Sequence, residues 1–135
     1  IKFIKRHINS FLWALIILIL CGAPSSEFPS VGFLNIPHLD KIVHFGLYVV
    51  FTLLLLSETN AKRKKGELEI KSVFISLTIA IFYGLLIELM QMLVFKSRGA
   101  EFWDFVANTV GAIVAVLSYR LVNRISKRLY ISTRY

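Results

Sequence analysis

Four apolar segments, at about 8–23, 41–57, 72–95 and 102–123, constrain this chain more than any other feature. Each approaches the ~20 residues that a helix needs to cross a bilayer core, the first two being the shorter. None alternates in the manner of a strand, and isolated strands leave backbone groups unsatisfied in lipid. The reading is therefore all-α, a four-helix transmembrane bundle forming one domain over residues 1–135. A soluble domain of this size could not cover a chain that is 56% hydrophobic.

The net charge of +8 raises the question of nucleic acid. The basic residues, however, sit in short clusters between apolar segments, with no aromatic interleaving and no zinc-finger spacing, so no nucleic-acid partner is expected. Their distribution instead sets orientation. Lys2, Lys5 and Arg6 lie at the start. Lys62, Arg63, Lys64, Lys65 and Lys71 lie in the second connection. Arg120, Arg124, Lys127, Arg128 and Arg134 lie at the end. Only Lys41, Lys96 and Arg98 fall in the other two connections. Both termini are expected in the cytoplasm, and the basic clusters also attract anionic lipid. The opening stretch fits a signal peptide as well as a retained span, and the retained span is preferred. A lipoprotein signal is disfavoured because Leu20 before Cys21 is too large. The connection from Pro24 to Leu39 holds all three prolines and reads as interfacial or re-entrant.

Within this frame the polar residues are unevenly placed. Asp40, Lys41, His44 and Tyr48 follow one another down the outer part of the second segment, with 40, 44 and 48 on one face. Glu88 lies roughly 12 Å below the outer end of the third segment, with Gln91 one turn nearer the surface. Arg98 stands in the outer turn. Asp104 and Asn108 open the fourth segment, and Gly111 and Ala115 continue their face with small residues. All of these fall in the expected outer half, and the inner halves read as almost pure Leu, Ile, Val, Phe and Ala. Random placement of tolerated polar groups would not choose one leaflet.

Bland roles compete with a site. Asp40 and Asp104 suit helix N-termini, Asn108 and Gly111 suit helix–helix packing, and Tyr48 suits packing with one hydrogen bond. Glu88 is hardest to dismiss, since a charge near mid-membrane costs about 2.5–3.5 kcal/mol on insertion scales. It is expected to face the bundle interior, neutral or paired with His44 or Arg98.

The stretches "DKIVHFGLY", "ELMQ" and "SRGAEFWDFVANTVG" together resemble the VanZ-like family of small bacterial membrane proteins. The matching positions are Asp40, Lys41, His44, Tyr48, Glu88, Gln91, Arg98, Asp104, Asn108 and Gly111, in order and in register. Lys96-Ser97 departs from a Pro-Gly-like turn, and Ala115 stands where a second glycine often follows. The resemblance implies a multi-pass protein of the bacterial plasma membrane. The family's founding member is associated with resistance to teicoplanin, a lipoglycopeptide acting at the outer face of that membrane.

Several functions fit. An outward-facing polar pocket would recognise or modify a ligand with a polar head and a lipid tail: a phospholipid, a lipid-linked wall precursor or a lipoglycopeptide, in a role in antibiotic resistance or envelope homeostasis. Arg98 would then hold a phosphate or carboxylate. An intramembrane enzyme would use His44 or Glu88 as base, with Asp40 or Asp104 as partner. A structural protein would use the cluster for packing alone. A proton-coupled transporter is disfavoured because the polar residues stop short of the cytoplasmic side. One histidine with several carboxylates also suits a divalent ion, but no H-E-x-x-H pair is present, and neither a metal nor a cofactor is expected.

Overall fold

The computed structural model describes residues 6–22, 38–61, 68–94 and 101–132, with the side chains of 126–132 excepted. Among them are four helices and no strand: α1 (Ile8–Gly22), α2 (Leu39–Thr59), α3 (Ile70–Leu93) and α4 (Phe102–Ser132). The latter three are long and apolar enough to cross a membrane, α4 through its Phe102–Ile125 part. At 15 residues, α1 is shorter than a full span.

The expected segments agree with α1, α2 and α3 to within two residues at each end. The fourth was expected to stop at 123, and the helix instead continues to Ser132. The apolar run ends where the lipid would, but nothing there ends a helix. Residues 120–132, "RLVNRISKRLYIS", contain no glycine or proline. The piece expected over Pro24–Leu39 falls mostly at 23–37, outside the described residues, as does Arg98.

Helices α3 and α4 turn small and polar stripes inward and large apolar residues outward, whereas the buried face of α2 also carries Tyr48, Phe51, Leu55 and Leu56. On α3, Ser72, Ser76, Ala80, Gly84 and Glu88 recur every four residues and are all buried. Phe82 on the opposite side is 67% exposed, and Leu117 of α4 is 78% exposed. Water would penalise such a surface, whereas hydrocarbon does not distinguish it from a core. Small inward residues let the backbones approach, and dispersion then replaces the hydrophobic effect as the force between helices.

The most extensive packing is α2 on α4, and Gly111 governs it. A Cβ added there would lie 2.5 Å from the Phe45 carbonyl oxygen and 3.3 Å from its carbon. That neighbour is backbone and cannot rotate away. By contrast, α1 is tied on by side chains: Trp13 Nε1 donates to the Leu47 carbonyl at 2.9 Å, and Tyr83 Oη donates to the Ala14 carbonyl at 2.7 Å. Gly111→Ala must separate α2 from α4, and the expected cost is about 1–3 kcal/mol, the range for overpacking. Thermal unfolding in detergent measures it. A wild-type midpoint would show that the two backbones are not this close.

Candidate functional site

The α2–α4 approach places one helix's polar residues against the other's. His44 Nδ1 lies 3.1 Å from Asn108 Oδ1, and both residues are buried. With the amide oriented this way, Nδ1–H donates, and in the neutral ring Nε2 then carries the lone pair. Nε2 faces Asp104 Oδ2 at 3.8 Å. One turn separates Asp104 from Asn108 on α4, so both address α2 from a single face.

Lys41 organises the mouth of this cluster. Its ammonium lies 2.7 Å from Asp40 Oδ2, 2.6 Å from Glu101 Oε2 and 3.1 Å from Asp104 Oδ1. Three carboxylates from α2 and from the start of α4 thus share one cation. Asp104 uses one oxygen toward Lys41 and turns the other toward His44.

Glu88 reaches the cluster from α3 and is only 7% exposed. Its Oε2 accepts the Glu101 backbone N–H at 3.3 Å, while Oε1 is buried without a hydrogen-bond partner among the described residues. One potential ligand atom from each of His44, Glu88 and Asp104 lies within 4.8 Å of the others. Three helices therefore converge on one polar centre. Of the two partners expected for Glu88, His44 is beside it and Arg98 lies outside the described residues.

Two expected members behave differently. Gln91 is buried but turns toward α1, where Nε2 donates to the Cys21 carbonyl at 3.0 Å. The expected hydrogen bond of Tyr48 is not formed among the described residues: its hydroxyl is buried and without a partner. Its ring packs edge-on against Phe51, with centroids 6.0 Å apart. Ala115, like Gly111, is fully within the helix interface.

A cavity of about 360 Å³ adjoins the centre, lined by His38, Lys41, Phe45, Trp103, Val106, Ala107 and Val110. Phe45 of α2 and Val106, Ala107 and Val110 of α4 make its lining mostly apolar.

The opposite end of the bundle is not the apolar zone that the segments suggested. Glu58 is 7% exposed there, close to the end of α2. Its Oε1 accepts the backbone N–H groups of Asn9 (3.1 Å) and Ser10 (3.2 Å), and its Oε2 accepts the Ser10 hydroxyl and lies 3.4 Å from His7 Nδ1. In return, Arg6 donates to the carbonyls of Glu58 (2.8 Å) and Thr59 (3.0 Å). An acid caps the N-terminus of α1 and a cation caps the C-terminus of α2, each complementing a helix dipole. Thr59 and Ser76 hydroxyls meet at 3.2 Å nearby. A larger cavity of about 790 Å³ opens at this end, between Arg6, Ser10 and Phe11 on one side and Lys71, Ser72 and Ile75 on the other. Glu58 was assigned to the polar connection, yet its spacing betrays it: His44, Tyr48, Phe51, Leu55 and Glu58 are all buried on one face of α2.

A family model described as VanZ/LLP1 matches residues 2–123, nearly the whole chain. The chain belongs to the VanZ/LLP1 family. The match takes in α1, α2, α3 and the membrane-length part of α4, and so covers every described residue of both polar clusters. No curated protein and no solved structure matches this family member.

Two stability measurements follow. Lys41→Met leaves Asp40, Glu101 and Asp104 in mutual repulsion. Because the site is partly open, the loss should be about 1–2 kcal/mol, below the ~3–5 kcal/mol of a fully buried pair. Glu58→Ala should leave the α1 amides uncapped at roughly 1–3 kcal/mol, read as a lower midpoint and faster proteolysis of the α1 segment. An unchanged midpoint in either variant would contradict the corresponding cluster.

Proposed function

We propose that this VanZ/LLP1-family chain is a recognition protein of the bacterial plasma membrane, with both termini cytoplasmic and the Lys41–His44–Glu88–Asp104 centre facing the outer leaflet. Its ligand is an amphiphile with a polar head and a lipid tail: a phospholipid, a lipid-linked wall precursor or a lipoglycopeptide such as teicoplanin. The division of basic residues supports the orientation. The observation that carries the ligand class is the groove beside the centre. Lys41 and His38 line it together with Phe45, Val106, Ala107 and Val110. An apolar seam between two helices suits an acyl chain.

Catalysis is the second reading, favoured by the apposition of His44 Nε2 and Asp104 Oδ2 at 3.8 Å, a geometry open to general-base work once a substrate completes it. Turnover of a purified lipid-linked substrate separates it from binding.

Ala107→Phe tests the groove without touching the polar centre. Native mass spectrometry of the detergent-solubilised protein with an added polyprenyl-diphosphate precursor, and separately with teicoplanin, should show binding to wild type. That binding should weaken at least about tenfold in the variant, a loss of ~1.4 kcal/mol, at an unchanged melting temperature. Equal binding by both proteins would remove the groove as the ligand site. Teicoplanin susceptibility of cells expressing Glu88→Gln and Glu88→Leu provides the physiological counterpart. A full wild-type phenotype from both variants at normal expression would mean that Glu88 carries no function.

A further inference from the structure

The bundle contains two clusters of acidic or imidazole groups close enough to share a cation. In one, Asp40, Glu101 and Asp104 converge. That cluster brings its own cation, since the Lys41 ammonium lies within 3.1 Å of all three. In the other, His44, Glu88 and Asp104 converge, all three buried. No donor from the described residues reaches the buried Oε1 of Glu88.

From this contrast we propose that His44, Glu88 and Asp104 form a binding site for a first-row divalent transition metal such as Zn²⁺. The proposal rests on the reading of this centre as functional, and it names the group that would meet a polar head there.

The arrangement of the remaining atoms argues for it. Each of the three residues spends one polar atom on the protein. His44 uses Nδ1 on Asn108, Glu88 uses Oε2 on the Glu101 amide, and Asp104 uses Oδ1 on Lys41. Such contacts fix a ligand's orientation and, for histidine, its tautomer, which is the usual supporting role around a bound metal. What remains is an imidazole lone pair and two carboxylates in an apolar bundle, a set of mutually repelling acceptors. Donors bonded to a common ion at ~2.1 Å are about 3.0–3.4 Å apart at octahedral or tetrahedral angles. The Nε2–Oδ2 separation of 3.8 Å needs about 0.4–0.8 Å of closure, and the pairs with Glu88, within 4.8 Å, need up to about 1.8 Å.

Asp40, Glu88, Glu101 and Asp104 supply four carboxylates around this end, and Lys41 supplies the one cation among the described residues in contact with them. One nitrogen and two carboxylate donors suit Zn²⁺, Mn²⁺ or Fe²⁺ better than Mg²⁺ or Ca²⁺, which take all-oxygen shells. The donors come from three different helices, so spacing within one stretch of sequence carries no trace of the set.

The test uses the whole chain, purified in detergent with a tag lacking histidine, stripped with chelator and titrated calorimetrically with Zn²⁺ alone. The expected result is one equivalent bound, with no comparable heat from Mg²⁺. Affinity should fall at least about 100-fold in His44→Ala, and by about 10–100-fold in Asn108→Ala, where only the support of the imidazole is lost. Co²⁺ in place of Zn²⁺ should give visible absorption in wild type that His44→Ala loses. The wild-type titration needs no variant, so a misfolded variant does not spare the proposal. Less than one equivalent on wild type would overturn it, leaving a shared proton as what relieves the three acceptors. Undiminished binding by a folded His44→Ala protein would overturn it too. Neither result depends on a lipid, so loss of the metal and loss of the groove are read separately.

Discussion

The near contact of two backbones, at Gly111 of α4 and Phe45 of α2, is the constraint on which the rest of the bundle depends. A side chain at 111 would hold the helices apart, and with them the two pairs that lie on the same seam. His44 and Asn108 meet within a turn of that point, and Lys41 reaches Asp104 one turn further on. In water, hydrophobic burial would force such helices together despite poor fit. In lipid that force is absent, so shape and hydrogen bonding must supply the attraction. The small residue is thus what allows an otherwise costly row of polar groups to be satisfied across the interface.

Much of this was legible in the sequence. Helices without strand content follow from four long apolar runs, because only intrasegment hydrogen bonds satisfy a backbone in hydrocarbon. The inward direction of Glu88 follows from the cost of turning it to lipid. The gathering of His44, Asp104 and Asn108 with Glu88 was suggested by their common depth, since residues at one level on neighbouring helices are the ones able to meet.

What escaped has physical causes as well. The path of α4 past 123 was missed because apolar length measures the lipid, whereas helix termination depends on breakers and caps, and the stretch has neither glycine nor proline. Gln91 lies one turn nearer the surface than Glu88, but depth says nothing of azimuth, and its side chain serves α1. Glu58 was read with the basic connection because it borders it. Its place on the buried face of α2, one turn beyond Leu55, is visible only when the periodicity is carried to the helix end. Tyr48 keeps a buried hydroxyl with no partner among the described residues, an arrangement no pattern in the sequence announces.

The capping of α1 by Glu58 has a consequence for biogenesis. The carboxylate lies 48 and 49 residues after the two amides that it receives. A chain made from its N-terminus onward therefore brings α1 to the membrane before its cap has left the ribosome. Until Glu58 emerges, the free amides at the head of α1 depend on water or lipid head groups, and Arg6 has no helix end to close. The first helix is consequently a provisional element during synthesis, and its position becomes fixed only when the second has been completed behind it.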